Sequence, residues 1–237
     1  MASPFRISAK NLGALALPDF CPRCFWIQTH CGNKLPYQIF PGIFSSIDSY
    51  SKRVAHGWFD RHHSAPPWLA GLGEIKGYRN PPHHTKFNVL IQDVSVLVSG
   101  TPDGVFVRAD DSFLIIDYKT ARFTEYQDEL FPMYDAQLNA YAFIGERCGF
   151  SPVTGLALIY TEPVTDDRAA ASDAHTLSDG FSMDFSAKIL HVKIDPEQPP
   201  QLCRRAREIY DLEAPPCSRA DCENCGLLEG LIQVASR

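Results

Sequence analysis

No stretch of this chain approaches the roughly 20 consecutive apolar residues that a membrane helix needs, which excludes a spanning segment of that kind. The amino terminus lacks a basic segment followed by an apolar one, so export is not expected and a cytoplasmic location is. Positive charge is also short: 22 Lys and Arg stand against 28 Asp and Glu, for a formal net charge of -6. That balance argues against a broad polyanion-binding surface while leaving room for a local basic groove. What the chain does have is 237 residues that are 45% hydrophobic and 21% charged, enough to bury a real core as a single domain over 1–237. It also has eight cysteines. Beside no targeting signal, they point to a reducing compartment and to metal ligation rather than disulfides.

Residues 100–122 carry the chemistry. Gly104 to Arg108 and Phe113 to Tyr118 read as extended runs joined by a polar turn at Asp110 to Ser112, which is a hairpin signal. A three-residue turn pairs Ala109 with Phe113 and sets Asp103 across from Lys119. Because side chains alternate between faces, Asp103, Asp117 and Lys119 then share one face, and a one-residue change in the turn would separate them. Two carboxylates held that close repel unless something positive lies between them. A hard divalent cation with oxygen ligands meets that need, so Asp103 and Asp117 are candidate ligands for Mg²⁺ or Mn²⁺, with the Tyr118 carbonyl as a third. Lys119 is placed to orient and help deprotonate an attacking water, and the ion would lower the pKa of that water and offset charge growing on a phosphate. This is phosphodiester hydrolysis. Glu74-Ile75-Lys76 shows the same acid-x-lysine spacing, which arises by chance about once in an ordinary chain. The triplet at Asp117 differs in following an apolar strand whose partner starts with a Gly-x-x-Asp turn.

Elsewhere, Ser8 to Leu17 reads as a short helix capped by Ser8. After a break at Pro41-Gly42, Ser46 to Arg61 has Ile47, Tyr50, Val54 and Trp58 at helical spacing, as one buried stripe. Pro66 to Asn80 reads as loop, and His83-His84 as solvated. Phe87 to Ile91 and Val94 to Ser99 read as antiparallel strands leading into the hairpin. Met133, Gln137, Ala140, Tyr141 and Ile144 mark a helix ending near Gly149, with Gln137 and Tyr141 projecting together. Gly155 to Tyr160 and Phe185 to Ile194 are strands, with a polar loop from Thr165 to Gly180 between them. Gln201 to Leu212 is a helix with Arg204, Arg205 and Arg207 outward or sideways, as candidate phosphate contacts. Cys21-x-x-Cys24 and Cys222-x-x-Cys225 are together a candidate four-thiolate zinc site, while Cys31, Cys148 and Cys203 read as core thiols.

The Asp103, Asp117 and Lys119 set resembles motifs II and III of the PD-(D/E)XK nucleases, in particular the RecB-like branch that includes the CRISPR-associated iron-sulfur exonucleases. Cys21-Pro-Arg, Gln137-x-x-x-Tyr141 and the closing cysteines follow in that family's order. The resemblance implies a restriction-endonuclease-like α/β core, a central mixed sheet flanked by helices, with residues 1–31 and 213–237 forming a metal-cysteine clamp. It implies a metal-dependent DNA nuclease, in the first instance an exonuclease on single-stranded DNA or free ends, working beside DNA repair or CRISPR adaptation proteins. It implies that His56, with His63 as the substitute, completes the metal shell from the helix before the hairpin, and that Gln137 and Tyr141 support the active site. It implies a [4Fe-4S] cluster on Cys21, Cys217, Cys222 and Cys225, although the long spacing in the Cys217 triplet comes first here and usually comes second. The alternative is an inactive nuclease fold kept as a DNA-binding or assembly module with a structural metal.

Overall fold

The computed structural model describes residues 4–32, 42–123 and 129–236; Pro41 of the expected Pro41-Gly42 break lies outside them. The strand β1 (Phe5–Ser8) enters the helix α1 (Ala9–Gly13), where the Ser8 hydroxyl accepts the Asn11 backbone N–H at 3.1 Å, the cap expected from the sequence. Two helices follow, α2 (Pro22–His30) and α3 (Gly42–His62), then the strand β2 (Ile75–Arg79). Next come β3 (Asn88–Ile91), β4 (Val96–Ser99), β5 (Gly104–Arg108), β6 (Phe113–Lys119) and the helix α4 (Phe131–Gly145). The rest is β7 (Val153–Pro163), the short α5 (Asp167–Ala170), β8 (Thr176–Leu177), β9 (Gly180–Phe181), β10 (Phe185–Val192), α6 (Gln198–Tyr210) and α7 (Glu223–Ala235).

The central sheet has five strands in the order β10-β7-β6-β5-β2. Only β6 and β7 run parallel, and the helix α4 lies between them in the chain, so the sheet is mixed. Strand β6 is apolar on both faces because helices cover both. On one face Phe113 and Ile115 join Leu156, Leu158, Leu138 and Ile144 of α4 in the larger core; on the other Leu114, Ile116 and Tyr118 pack with Ala55 and Phe59 of α3 and with Leu69 and Leu72. Leu114, Ile115 and Ile116 are fully buried, and at ~1.5–3 kcal/mol per side chain this burial fixes the register of the strand against a slip. The result is the restriction-endonuclease-like arrangement.

Three sequence expectations change. Residues 66–80 are not loop: a 3₁₀ turn at Pro67–Leu72 leads into β2, an edge strand on β5, which absorbs the Glu74-Ile75-Lys76 triplet. β3 and β4 do not extend the central sheet; they pair with each other and with β1 in a separate three-stranded sheet. The stripe that α3 buries is Ala55 and Phe59, and Tyr50 and Val54 are exposed. The inward face runs through Asp48, Lys52, Ala55 and Phe59 at helical spacing, so its N-terminal half is polar, which apolar periodicity does not detect.

Candidate functional site

The hairpin pairs Val107 with Phe113 and Gly104 with Ile116, so one step further Asp103 lies opposite Asp117. The expected pairing of Ala109 with Phe113 is not made; the Ala109 N–H instead reaches the Glu74 carbonyl on the way into β2. The Arg108 N–H donates to the Ser112 carbonyl at 2.9 Å, so the three-residue turn sits one residue earlier than expected, at 109–111; that moves the register by two, which preserves faces, and Asp103, Asp117 and Lys119 still meet. Lys119 is ion-paired with Asp117, and its ammonium lies 3.9 Å from the Tyr134 ring centroid on α4. Asp103 Oδ2 accepts the Tyr118 backbone N–H at 2.8 Å, and Asp103 Oδ1 accepts from the Lys52 ammonium at 2.7 Å.

Lys52 and Asp48 are the site residues that the sequence reading missed. Lys52 also donates to Asp48 at 2.8 Å, one helical turn away, so its ammonium bridges two carboxylates from α3. An Asp-x-x-x-Lys pair on a helix before the hairpin is the signal that would have found them. His56, one turn beyond Lys52, is not brought to the carboxylates. Its ring stacks on Tyr78 with centroids 3.9 Å apart, and its charged neighbours are Asp60 and Lys52. His63 is an exposed residue just past the helix end with φ 52°.

Burial first, and then the facing Asp117, push the Asp103 carboxyl up to about 6, against the pull of Lys52 and of the Tyr118 N–H. Burial and Asp103 also raise Asp48. Burial works against the Lys52 ammonium, but the Asp103 and Asp48 carboxylates outweigh it and raise its pKa. On α4, Gln137 Nε2 donates to the Tyr141 hydroxyl at 2.9 Å, and both are buried. Burial, with Asp117 nearby, holds the Tyr141 phenol protonated. Gly100 admits this ring: a Cβ there would fall 2.5 Å from Tyr141 Cε1.

The arginines of α6 are not a free phosphate patch. Arg204 meets Asp93 at 3.3 Å, Arg205 donates to the Leu15 carbonyl at 2.8 Å, and Arg207 pairs with Asp211 at 2.7 Å. His83 and His84 are exposed as expected. Of the three expected core thiols only Cys203 is buried; Cys31 is exposed and Cys148 lies partly open against the Asn88 carbonyl.

The cysteines that meet are Cys21, Cys24, Cys222 and Cys225, with sulfur atoms all within 4.8 Å of one another. Cys217 is exposed and stands outside the group, which corrects the set expected for an iron-sulfur cluster. Cys24 is in the first turn of α2 and shares its open end with Cys21, whereas Cys217 lies in irregular chain before α7. Burial opposes the Cys21 thiolate, but the backbone N–H groups of Arg219 and Cys24 and the neighbouring thiols outweigh it and bring Cys21 down to about 6. Burial raises Cys225 to about 11.

The carboxylate set suits a hard cation. Its donors are all oxygen, its two facing carboxylates repel, and Asp117 Oδ2 is buried with the Lys119 charge against it but in no hydrogen bond. No helix among the described residues is long and apolar enough to cross a membrane.

A family model described as the PD-(D/E)XK nuclease superfamily matches residues 47–229. No curated protein matches. A solved structure described as "Crystal structure of SSO0001" is similar at a TM-score of 0.49 and 10% identity, over 89% of this chain and 79% of that one.

Proposed function

This chain belongs to the PD-(D/E)XK nuclease superfamily, and from that premise we propose that it is a Mg²⁺- or Mn²⁺-dependent deoxyribonuclease, an exonuclease on single-stranded DNA or DNA with free ends. The observation that carries the reading is the meeting of Asp103, Asp117 and Lys119 at one end of β5 and β6, where the buried Asp117 carboxylate and the half-buried Asp103 carboxylate face each other. Asp103 and Asp117, with the Tyr118 carbonyl, would hold the ion. When bound, that ion supplies Lewis acidity and a lowered pKa for an attacking water.

The chain's own residues do the rest. Lys119, held against Asp117 and the Tyr134 ring, orients the water and takes part in moving its proton. The Tyr118 N–H holds Asp103 in place, and Lys52 offsets its charge. Tyr141, kept neutral and fixed by Gln137, offers a hydroxyl near Asp117 that positions the reacting groups. The cysteine group is structural on this reading. Cytoplasmic work beside DNA repair or CRISPR adaptation proteins follows from the resemblance of the ordered motifs to RecB-like nucleases.

The test is digestion of end-labelled DNA, single- and double-stranded, linear and circular, with and without Mg²⁺ or Mn²⁺. Cleavage of linear single strands that needs the metal and that Lys119→Ala abolishes is expected. Cleavage untouched by Lys119→Ala would remove the assigned site. DNA binding with no cleavage in any metal would instead favour the inactive binding module.

A further inference from the structure

Cys21 and Cys222 are each the N-cap of a helix, and Cys24 and Cys225 stand three residues further on. Helices α2 and α7 therefore present the same pair of thiols to each other, both pairs at helix ends where unpaired backbone N–H groups favour negative charge. The Cys21 and Cys225 sulfurs are 3.8 Å apart, Cys24 and Cys222 3.6 Å, and Cys24 and Cys225 3.5 Å. These are not disulfides, whose sulfurs lie at ~2.0 Å. A zinc ion holds four thiolates at ~2.3 Å in a tetrahedron, and the edge of that tetrahedron is ~3.8 Å. Three of the six sulfur pairs stand at about that spacing, and all six lie within 4.8 Å. A [4Fe-4S] cubane puts four irons and four sulfides between its ligands, so its cysteine sulfurs have to spread much farther than those around one ion. The residues present do not fit it.

We propose that Cys21, Cys24, Cys222 and Cys225 form a single-ion tetrahedral thiolate site that takes zinc, in place of the iron-sulfur cluster that the sequence resemblance implies. Its surroundings belong to the same two helices and the segment between α6 and α7. The Arg219 backbone N–H donates to Cys21 Sγ at 3.4 Å, Arg23 on α2 pairs with Glu229 on α7 at 2.7 Å, and Trp26 Nε1 donates to the Leu212 carbonyl at 3.0 Å. Arg23 also lies within electrostatic reach of Cys21 and Cys225, which offsets the negative charge of a four-thiolate zinc complex. All four corners come from protein, so no position is left open for a substrate and the site is structural. None of this rests on the nuclease reading.

The experiment is elemental and sulfide analysis of the full chain, purified without oxygen from cells supplied with both iron and zinc. About one zinc per chain is expected, with no visible absorbance. Cys217→Ser is expected to keep the metal and Cys24→Ser to lose it, and cobalt in place of zinc is expected to give the strong visible bands of tetrahedral thiolate coordination. About four irons and four sulfides per chain, with broad visible absorbance lost in Cys217→Ser, would overturn the proposal. So would wild-type protein that carries no metal. If Cys24→Ser does not fold, the wild-type stoichiometry and the Cys217→Ser protein still decide.

Discussion

The carboxylate site takes Asp103, Asp117 and Lys119 from two neighbouring strands of one hairpin, whereas the cysteine group joins positions 198 to 204 residues apart. The first is enforced by local alternation within a buried sheet. The second exists only once the whole chain has closed on itself. A site of the first kind tolerates an even shift in register, because the face is preserved. A site of the second kind depends on which helix ends meet, and a sequence with several cysteines leaves that open. The two also handle charge differently: each facing carboxylate has its own lysine, Lys52 on Asp103 and Lys119 on Asp117, whereas the thiols gather at the N-terminal ends of two helices.

This contrast predicts that activity and stability separate. Lys119→Ala or Asp117→Asn is expected to lower metal-dependent DNA cleavage by roughly 10²–10⁴-fold while circular dichroism, and Tm with Mg²⁺ present, stay near wild type, since general acid-base groups supply rate factors of that size. A parallel collapse of the fold would break the separation. Cys225→Ser is expected to do the reverse. It opens a loop of about 200 residues, an effect on the order of 5 kcal/mol, so Tm falls by on the order of 10 °C while cleavage at low temperature persists. Calorimetry beside the digestion assay reads both.

The third test uses pH. The Asp103 carboxyl is raised to about 6 in the folded chain, against ~3.9 when unfolded. Between those values the folded state holds a proton that the unfolded state has released, so raising pH through this window removes stability, and above it the ionised pair repel. Mg²⁺ or Mn²⁺ is therefore expected to raise Tm more at pH 7.5 than at pH 5. Equal shifts at the two pH values would detach the ion from Asp103. The smallest effect belongs to Lys52→Ala, expected to lower Tm by a few degrees in metal-free buffer, for a loss of about 1–2 kcal/mol, and less with Mg²⁺ present. An identical loss in both buffers would mean that Lys52 does not stand in for a cation.

Much of the fold could be read from residue patterns, and the reasons for the misses are physical. The hairpin, α4 with its Gln137 and Tyr141, and the mixed sheet follow from apolar runs of clear period. β2 was hidden because an edge strand of Ile75–Arg79 buries one side chain and carries no alternation. Lys52 and Asp48 were hidden because a buried polar half-face looks like a solvated one in sequence. His56 drew notice as a ligand type, yet Tyr78 claims its ring. Cys24, through its Cys-x-x-Cys pair, and Cys217, through the closing triplet, both qualify in sequence as the fourth thiolate, and the start of α2 brings Cys24 to the group.

A tethered ammonium differs from a dissolved ion in that dilution and chelators leave its local concentration unchanged. Because Lys52 reaches Asp103 from a helix rather than from the hairpin itself, its positive charge stays beside that carboxylate whatever the divalent cation content of the buffer.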